Sequence, residues 1–375
     1  MAKKLYVGVQ NKARQVKKAY VGVDGIARRI KKAYVGIGGV ARPFFGGILE
    51  CYGPITSLSV GRSDLAAASV GNYALFGGGS NSSYKASNVV DAYNKSLTRT
   101  TPTALSVART KLAATSVSNY ALFGGGSPSS NVNSAVVDAY DTSLTRTIPT
   151  ALSVARESLT ATAVGGYALF GGGFAASGGN SGAVDAYDTS LTRTTHSELS
   201  VRRSFLVSTT VGSYGLFAGG NSGYKTQYTT VDAYNTSLTR TSPDALSVGR
   251  SSLAATAVGG FALFGGGEVG MDGCVTTVDV YTQSLTRTSI EGLSVAKCSF
   301  AATTIGDYAL FGGGFDGDYN YSTVVDVFDT SLTRTNPTGL SVGRVLLAST
   351  TVGSYALFGG GEGNNGGAVV DAYAI

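Results

Sequence analysis

LSVGRSDLAAASVGNYALFGGGSNSSYKASNVVDAYNKSLTRT, residues 58–100, decides the fold, because the chain says it again six times. The LSV motif begins at Leu58, Leu105, Leu152, Leu199, Leu246, Leu293 and Leu340, each 47 residues after the last. Three other markers travel with it. The ALFGGG phenylalanine falls at Phe76, Phe123, Phe170, Phe217, Phe264, Phe311 and Phe358. The VDAY aspartate falls at Asp91, Asp138, Asp185, Asp232, Asp279, Asp326 and Asp371. The LTRT arginine falls at Arg99, Arg146, Arg193, Arg240, Arg287 and Arg334. A period of 40–50 residues holding several short strands is the sequence sign of a propeller, in which each repeat is one blade and neighbouring blades bury each other. Within the first unit the pattern predicts four strands: Leu65–Val70 (a), Tyr73–Phe76 (b), Val89–Tyr93 (c) and Leu97–Thr101 (d). Gly71-Asn72 and its counterparts supply the positive φ that a two-residue a–b hairpin turn requires, and Asn94-Lys95-Ser96 makes a c–d turn.

The seventh unit ends at Ile375 without an LTRT strand. One step back from Leu97–Thr101 lies Glu50–Pro54, so Gly47–Ile55 is expected to supply strand d of blade seven. Closing the ring in this way leaves no sheet edge open. The expectation is an all-β chain: a seven-bladed β-propeller over 46–375, preceded by a small arm over 1–45. In the c–d hairpin, Asp91 is expected opposite Arg99 as a cross-strand charge pair.

Gly-Gly after the second strand and the Tyr-Asp-like residues after the third resemble the kelch repeat, as does the cation after LSV (Arg62, Arg109, Arg156, Arg203, Arg250, Lys297, Arg344). The fourth strand carries LTRT where kelch units usually carry Trp, and this chain has no Trp.

The arm repeats with a period of 14: KKLYVGVQNKARQV, KKAYVGVDGIARRI, KKAYVGIGGVARPF. Each unit reads as strand, two-residue turn, strand. Residues 1–45 carry 11 Lys/Arg and a single acid, against 18 Lys/Arg and 22 acids in the rest, so a net charge of +6 hides a basic arm on a mildly acidic body. Short hairpins bury little alone, so the arm is read as an anchor through Lys3, Lys4, Lys17, Lys18, Arg28, Arg29, Lys31, Lys32 and Arg42. The repeats resemble those of structural and tail-associated proteins of phages and prophages of Gram-positive bacteria. That resemblance implies a virion component whose arm docks on other virion proteins, made in the host cytoplasm without a signal peptide. The arm shows no recognisable nucleic-acid-binding fold, so nucleic acid is set aside as its partner, while contact between copies of the chain stays open. No 18-residue apolar run exists, so no transmembrane helix is expected.

The b–c loops carry most of the variation between units, and seven of them rise from one face of a rigid disc. Tyr84, Phe174, Tyr224, Tyr228, Phe315, Asp316, Asp318, Tyr319 and Tyr321 in these loops are candidate contact residues for a host surface glycan or protein. The alternative is a purely architectural decoration or connector of a capsid, neck or tail. Catalytic, cofactor and metal residues are not read from the sequence. There is one histidine, His196, too few for a copper centre of the galactose-oxidase kind, and no phosphate-loop, HExxH or EF-hand pattern. Cys51, Cys274 and Cys298 form no CxxC pair and are expected to be incidental thiols.

Overall fold

A computed structural model describes residues 6–9, 12–15, 20–23, 26–29, 33–37, 40–45 and 49–375, apart from 177, 224–225, 271–272, 317, 319 and 364–366. Among these residues there is no helix, and seven four-stranded antiparallel sheets run a-b-c-d. The innermost strands are Ala66–Val70, Ala113–Val117, Thr160–Val164, Val207–Val211, Ala254–Val258, Ala301–Ile305 and Ala348–Val352, each beside the next, and the last beside the first. The chain is a seven-bladed β-propeller.

The ring closes as the sequence requires. Blade 7 takes strands a to c from Ala348–Val352, Tyr355–Gly359 and Val370–Ala374, and strand d from Glu50–Pro54. Asp371 pairs with Pro54 and Ala374 with Glu50, with a bulge between Ala372 and Tyr373. Tyr52 stands where the other blades carry the LTRT arginine, and packs edge-on against Tyr355 at 5.4 Å. Leu49 and Glu50 therefore sit at the end of the blade that carries the a–b and c–d turns, opposite the b–c loops. Three hairpins precede them, Tyr6–Val9 with Lys12–Gln15, Tyr20–Val23 with Ile26–Arg29, and Ala33–Ile37 with Val40–Phe45.

The core lies between blades. Each of its seven clusters joins the outward residues of one blade to the Leu and Phe of the next, as Leu75, Val90 and Ala92 meet Leu112, Phe123 and Tyr140. Phe76 and Tyr93 meet edge to face at 6.0 Å, and every other blade repeats the pair, with Phe328 replacing the Tyr in blade 6. Glycine at position 77 allows a close approach, since a Cβ there would lie 2.8 Å from the Phe123 ring of the next blade, although blade 4 carries Ala218 at the equivalent position.

The hairpin register corrects the expected Asp91–Arg99 pairing. Tyr93 pairs with Arg99 and Ala92 with Thr100, so strand d is only Arg99–Thr100. Leu97 takes a left-handed φ of 59°, and the Asn94 carboxamide accepts from the Ser96 and Thr98 amides at 2.9 and 3.0 Å. That turn consumes the residues expected to begin the strand. Arg99 still reaches Asp91, diagonally, at 3.1 Å.

The principal partner of Asp91 is the buried Arg62, at 2.6 Å. The Asp91 carboxylate also accepts from the Ser59 amide at 2.9 Å, while Arg62 donates to the Phe76 carbonyl at 3.0 Å. Each blade repeats this buried pair: Arg156–Asp185, Arg203–Asp232, Arg250–Asp279 and Arg344–Asp371 at 2.8 Å, Arg109–Asp138, and Lys297–Asp326 at 2.7 Å. Desolvation pulls the guanidinium of Arg62 below its ordinary value, and Asp91 pulls it back up. The pair pins the LSV segment into its blade. The same segment reaches the previous blade through its backbone, as Arg109 N–H donates to Ser87 O at 2.9 Å. The cation after LSV is thus a joint between blades.

The cysteines correct a second expectation. Cys274, in the b–c loop of blade 5, is joined by a disulfide to Cys298, just before strand a of blade 6, with Cα atoms 5.4 Å apart. Cys51 is free, in the closing strand.

Candidate functional site

Two residues after the buried cation of each repeat comes a residue held at positive φ: Asp64, Lys111, Ser158, Phe205, Ser252, Ser299 and Leu346, with φ between 52° and 56°. Each N–H donates to the carbonyl of its counterpart one blade back: Lys111 to Asp64 at 3.0 Å, Ser158 to Lys111 at 3.0 Å, and Phe205 to Ser158 at 3.1 Å. The cycle runs through Ser252, Ser299 and Leu346 and closes where Asp64 donates to Leu346 at 2.9 Å. Seven backbone amides thus form a hydrogen-bonded hoop around the channel mouth on the b–c face.

Such a backbone favours glycine, and a side chain there costs on the order of 1–2 kcal/mol. The chain has 53 glycines, yet none occupies the hoop. Another set of non-glycine residues at positive φ that recurs from blade to blade, Leu97 and its counterparts, is always leucine and packs into the blade. The hoop holds acid, base, hydroxyl, aromatic and aliphatic side chains instead. Strain kept together with chemical diversity points to side chains retained for what they touch.

Beneath the hoop lies a collar of Leu65, Leu112, Leu159, Leu206, Leu253, Phe300 and Leu347, and hoop and collar together line a recess of about 230 Å³. Further down, the channel wall is alanine, serine and threonine from the inner strands. On one side the mouth opens into a cleft of about 560 Å³ over blades 3 to 5. Its walls include Glu157, Phe174, Asn180, Phe205, Asn221 and Glu268. Both phenylalanines are exposed, at 41% and 44%. Asn180 Nδ2 donates to the Asn221 carbonyl at 2.7 Å, tying the blade 3 loop to blade 4, and Asn221 Nδ2 donates to Ser251 Oγ at 3.3 Å.

The mouth is electrostatically uneven. Burial pushes the Asp64 carboxyl up to about 6, opposed by Lys111 and reinforced by Glu362 and Glu157. Lys111 Nζ lies 4.0 Å from Glu157 Oε1. A perturbed carboxyl in a concavity beside a lysine makes the mouth a candidate functional site. Among the described residues no group of three His, Cys, Asp or Glu side chains is placed to hold a metal ion.

The residues singled out from the sequence are dispersed among the blades. Phe174 lines the cleft. Tyr84 is exposed at the tip of the blade 1 loop, at positive φ. Tyr228 is half-buried in blade 4. In blade 6, Phe315 and Tyr321 stack on each other with ring centroids 5.4 Å apart. Asp316 there accepts from the Asp318 and Asn320 amides at 2.9 Å, which caps its own loop and holds its carboxyl below the ordinary value, while Asp318 is exposed. Tyr224 and Tyr319 lie outside the described residues, as do Lys3, Lys4, Lys17, Lys18, Lys31 and Lys32 of the arm. Arg28 and Arg29 end the second strand of the middle hairpin, and Arg42 lies in the last arm strand. His196 lies in an extended strand d of blade 3 and meets Thr194 Oγ1 at 2.8 Å, with its pKa lowered by desolvation. The hoop, with Phe205, and the acids Glu157 and Glu268 escaped the sequence reading. Their signal was a varying column at a fixed 47-residue step inside an otherwise constant frame.

No protein-family model matches the sequence, and no curated protein matches it. Among solved structures the chain is similar to one described as "Structure of YjhT", with a TM-score of 0.61 and 11% identity, over 76% of this chain and 99% of the other. At that identity the likeness speaks to the propeller alone.

Proposed function

We propose that this chain is a non-enzymatic recognition module of a phage particle, in which the propeller grips a host surface glycan or protein with its b–c face and residues 1–45 hold it to the virion. One observation carries the reading. Divergence among seven near-identical blades is concentrated on the b–c face, in the hoop, the cleft and the loops, whereas the a–b and c–d turns on the opposite face stay nearly uniform. A scaffold that needed only to close would repeat its mouth as faithfully as its turns. The entry of Glu50 at the turn-bearing end supports an attachment on the far side from that face. The arm's basic charge and its phage-like repeats support a virion partner.

The test is binding of the labelled full-length protein to cells of a Gram-positive host. Phe174→Ala with Phe205→Ala should abolish cell binding while leaving the melting temperature within a few degrees, and removal of residues 1–45 should leave it intact. Binding to virion parts alone would instead support the architectural reading, and cell binding untouched by the double substitution would place the contact away from the cleft.

A further inference from the structure

We propose that the cleft over blades 3 to 5 takes a glycan bearing free, protonated amino groups, a hexosamine oligomer with un-acetylated nitrogens, so that Glu157 and Glu268 meet its ammonium groups and Phe174 and Phe205 meet its ring faces. This rests on the b–c face being the recognition surface, and it names the ligand class of that face.

Charge sets the first constraint. Among the described residues, two carboxylates line the cleft and no basic side chain does. Lys111 is engaged from outside it, near Glu157. Glu268 is half-buried and has no ion-pair partner among the described residues. A partly desolvated carboxylate gains most from a cation brought to it, so an acidic sugar is disfavoured and a neutral one leaves that charge unanswered.

Hydrogen-bonding capacity sets the second. The Asn180 and Asn221 amide groups have already spent N–H donors on the Asn221 carbonyl and on Ser251. The Asn180 amide oxygen and the two carboxylates accept. These acceptors favour a ligand that donates, as a polyhydroxylated amine does. Shape is the third constraint. Two exposed phenylalanines offer flat apolar faces to the C–H face of a pyranose or, in cation–π contact, to its ammonium group. A volume of about 560 Å³ accommodates more than one sugar ring.

The experiment titrates full-length protein calorimetrically at pH 6 and low salt with the glucosamine tetrasaccharide, its fully N-acetylated counterpart and tetralysine. The amino sugar should bind at least about tenfold tighter than either control, and Glu268→Gln should cost about tenfold. Phe174→Ala should weaken binding as well, with an unchanged melting curve showing that the fold persists. Raising the pH until the amines deprotonate should remove the preference. Equal binding of the acetylated tetrasaccharide, equal binding of tetralysine, or no heat at millimolar ligand overturns the assignment. Host-cell binding by the same preparation separates the two claims. Cells bound without the tetrasaccharide overturn the amine assignment and leave recognition standing, whereas the tetrasaccharide bound without cells supports the assignment and removes the host-recognition reading.

Discussion

Asp185 stands for the aspartate that recurs in every blade. It is buried, holds Arg156 and Arg193 at 2.8 Å each, and accepts from the Ser153 amide at 3.0 Å. Taking away one member of such a cluster strands a buried charge. Asp185→Asn should therefore cost about 3–5 kcal/mol, read as a lowered urea midpoint. Arg193→Ala removes only the half-buried outer partner and should cost about 0–1 kcal/mol. A similar loss from both substitutions would show that Arg156 is not the joint it is taken to be. Asp64 works in the opposite sense. Its folded pKa, about 6, lies above its ordinary 3.8, so the native state holds that proton more tightly than the unfolded chain does. The associated stability is complete below about pH 4 and is lost as the pH rises through 6. Melting temperatures recorded from pH 4.5 to 8 should fall less steeply in Asp64→Asn, which should be the more stable form at pH 8.

At the scale of elements, each strand is stabilised by what faces it across a blade boundary rather than by its own ladder. Strand d, two residues long in most blades, is held largely by its arginine. The b–c loops are tied to the next blade from one repeated position, occupied by Asn133, Asn180 and Cys274 at multiples of the 47-residue step. Asn133 reaches the Phe174 carbonyl at 2.6 Å, Asn180 reaches Asn221, and in blade 5 the Cys274–Cys298 disulfide does the tying. With its cysteines 24 positions apart in sequence, that bridge should contribute about 3 kcal/mol by restricting the unfolded chain. Cys274→Ser with Cys298→Ser should lower the denaturation midpoint accordingly. It should also speed amide exchange at Glu268, which lines the cleft, and at the neighbouring Val269. Unchanged exchange there would show that the bridge does not order the loop.

For the molecule as a whole, two independent closures hold the ring: the pairing of Glu50–Pro54 with Val370–Ala374 at the rim, and the hoop of seven amides at the axis. A chain lacking residues 1–55 keeps the hoop but exposes the edge of Val370–Ala374. It should melt at lower temperature and form concentration-dependent oligomers by size-exclusion chromatography, since an unpaired edge templates association. A monomeric truncated protein with an unaltered melting curve would mean that the axial hoop alone closes the ring.

The sequence by itself determined the number of blades, the four strands in each and the origin of the strand that completes the seventh, because a 47-residue period transmits local hairpin chemistry unchanged to every copy. Even there it misplaced strand d, since the left-handed turn at Leu97 shifts the register by two residues against simple counting. Only the tertiary structure decided what Asp91 meets, because Arg62 is 29 residues away and the nearer Arg99 hides it. The disulfide, the hoop and the cleft also needed the ring, since their members are 24, 47 or more residues apart and converge only when the blades do. A repeat announces what its copies share; what a mouth built from one residue of each copy can hold depends on their differences, which acquire meaning only once the circle places them side by side.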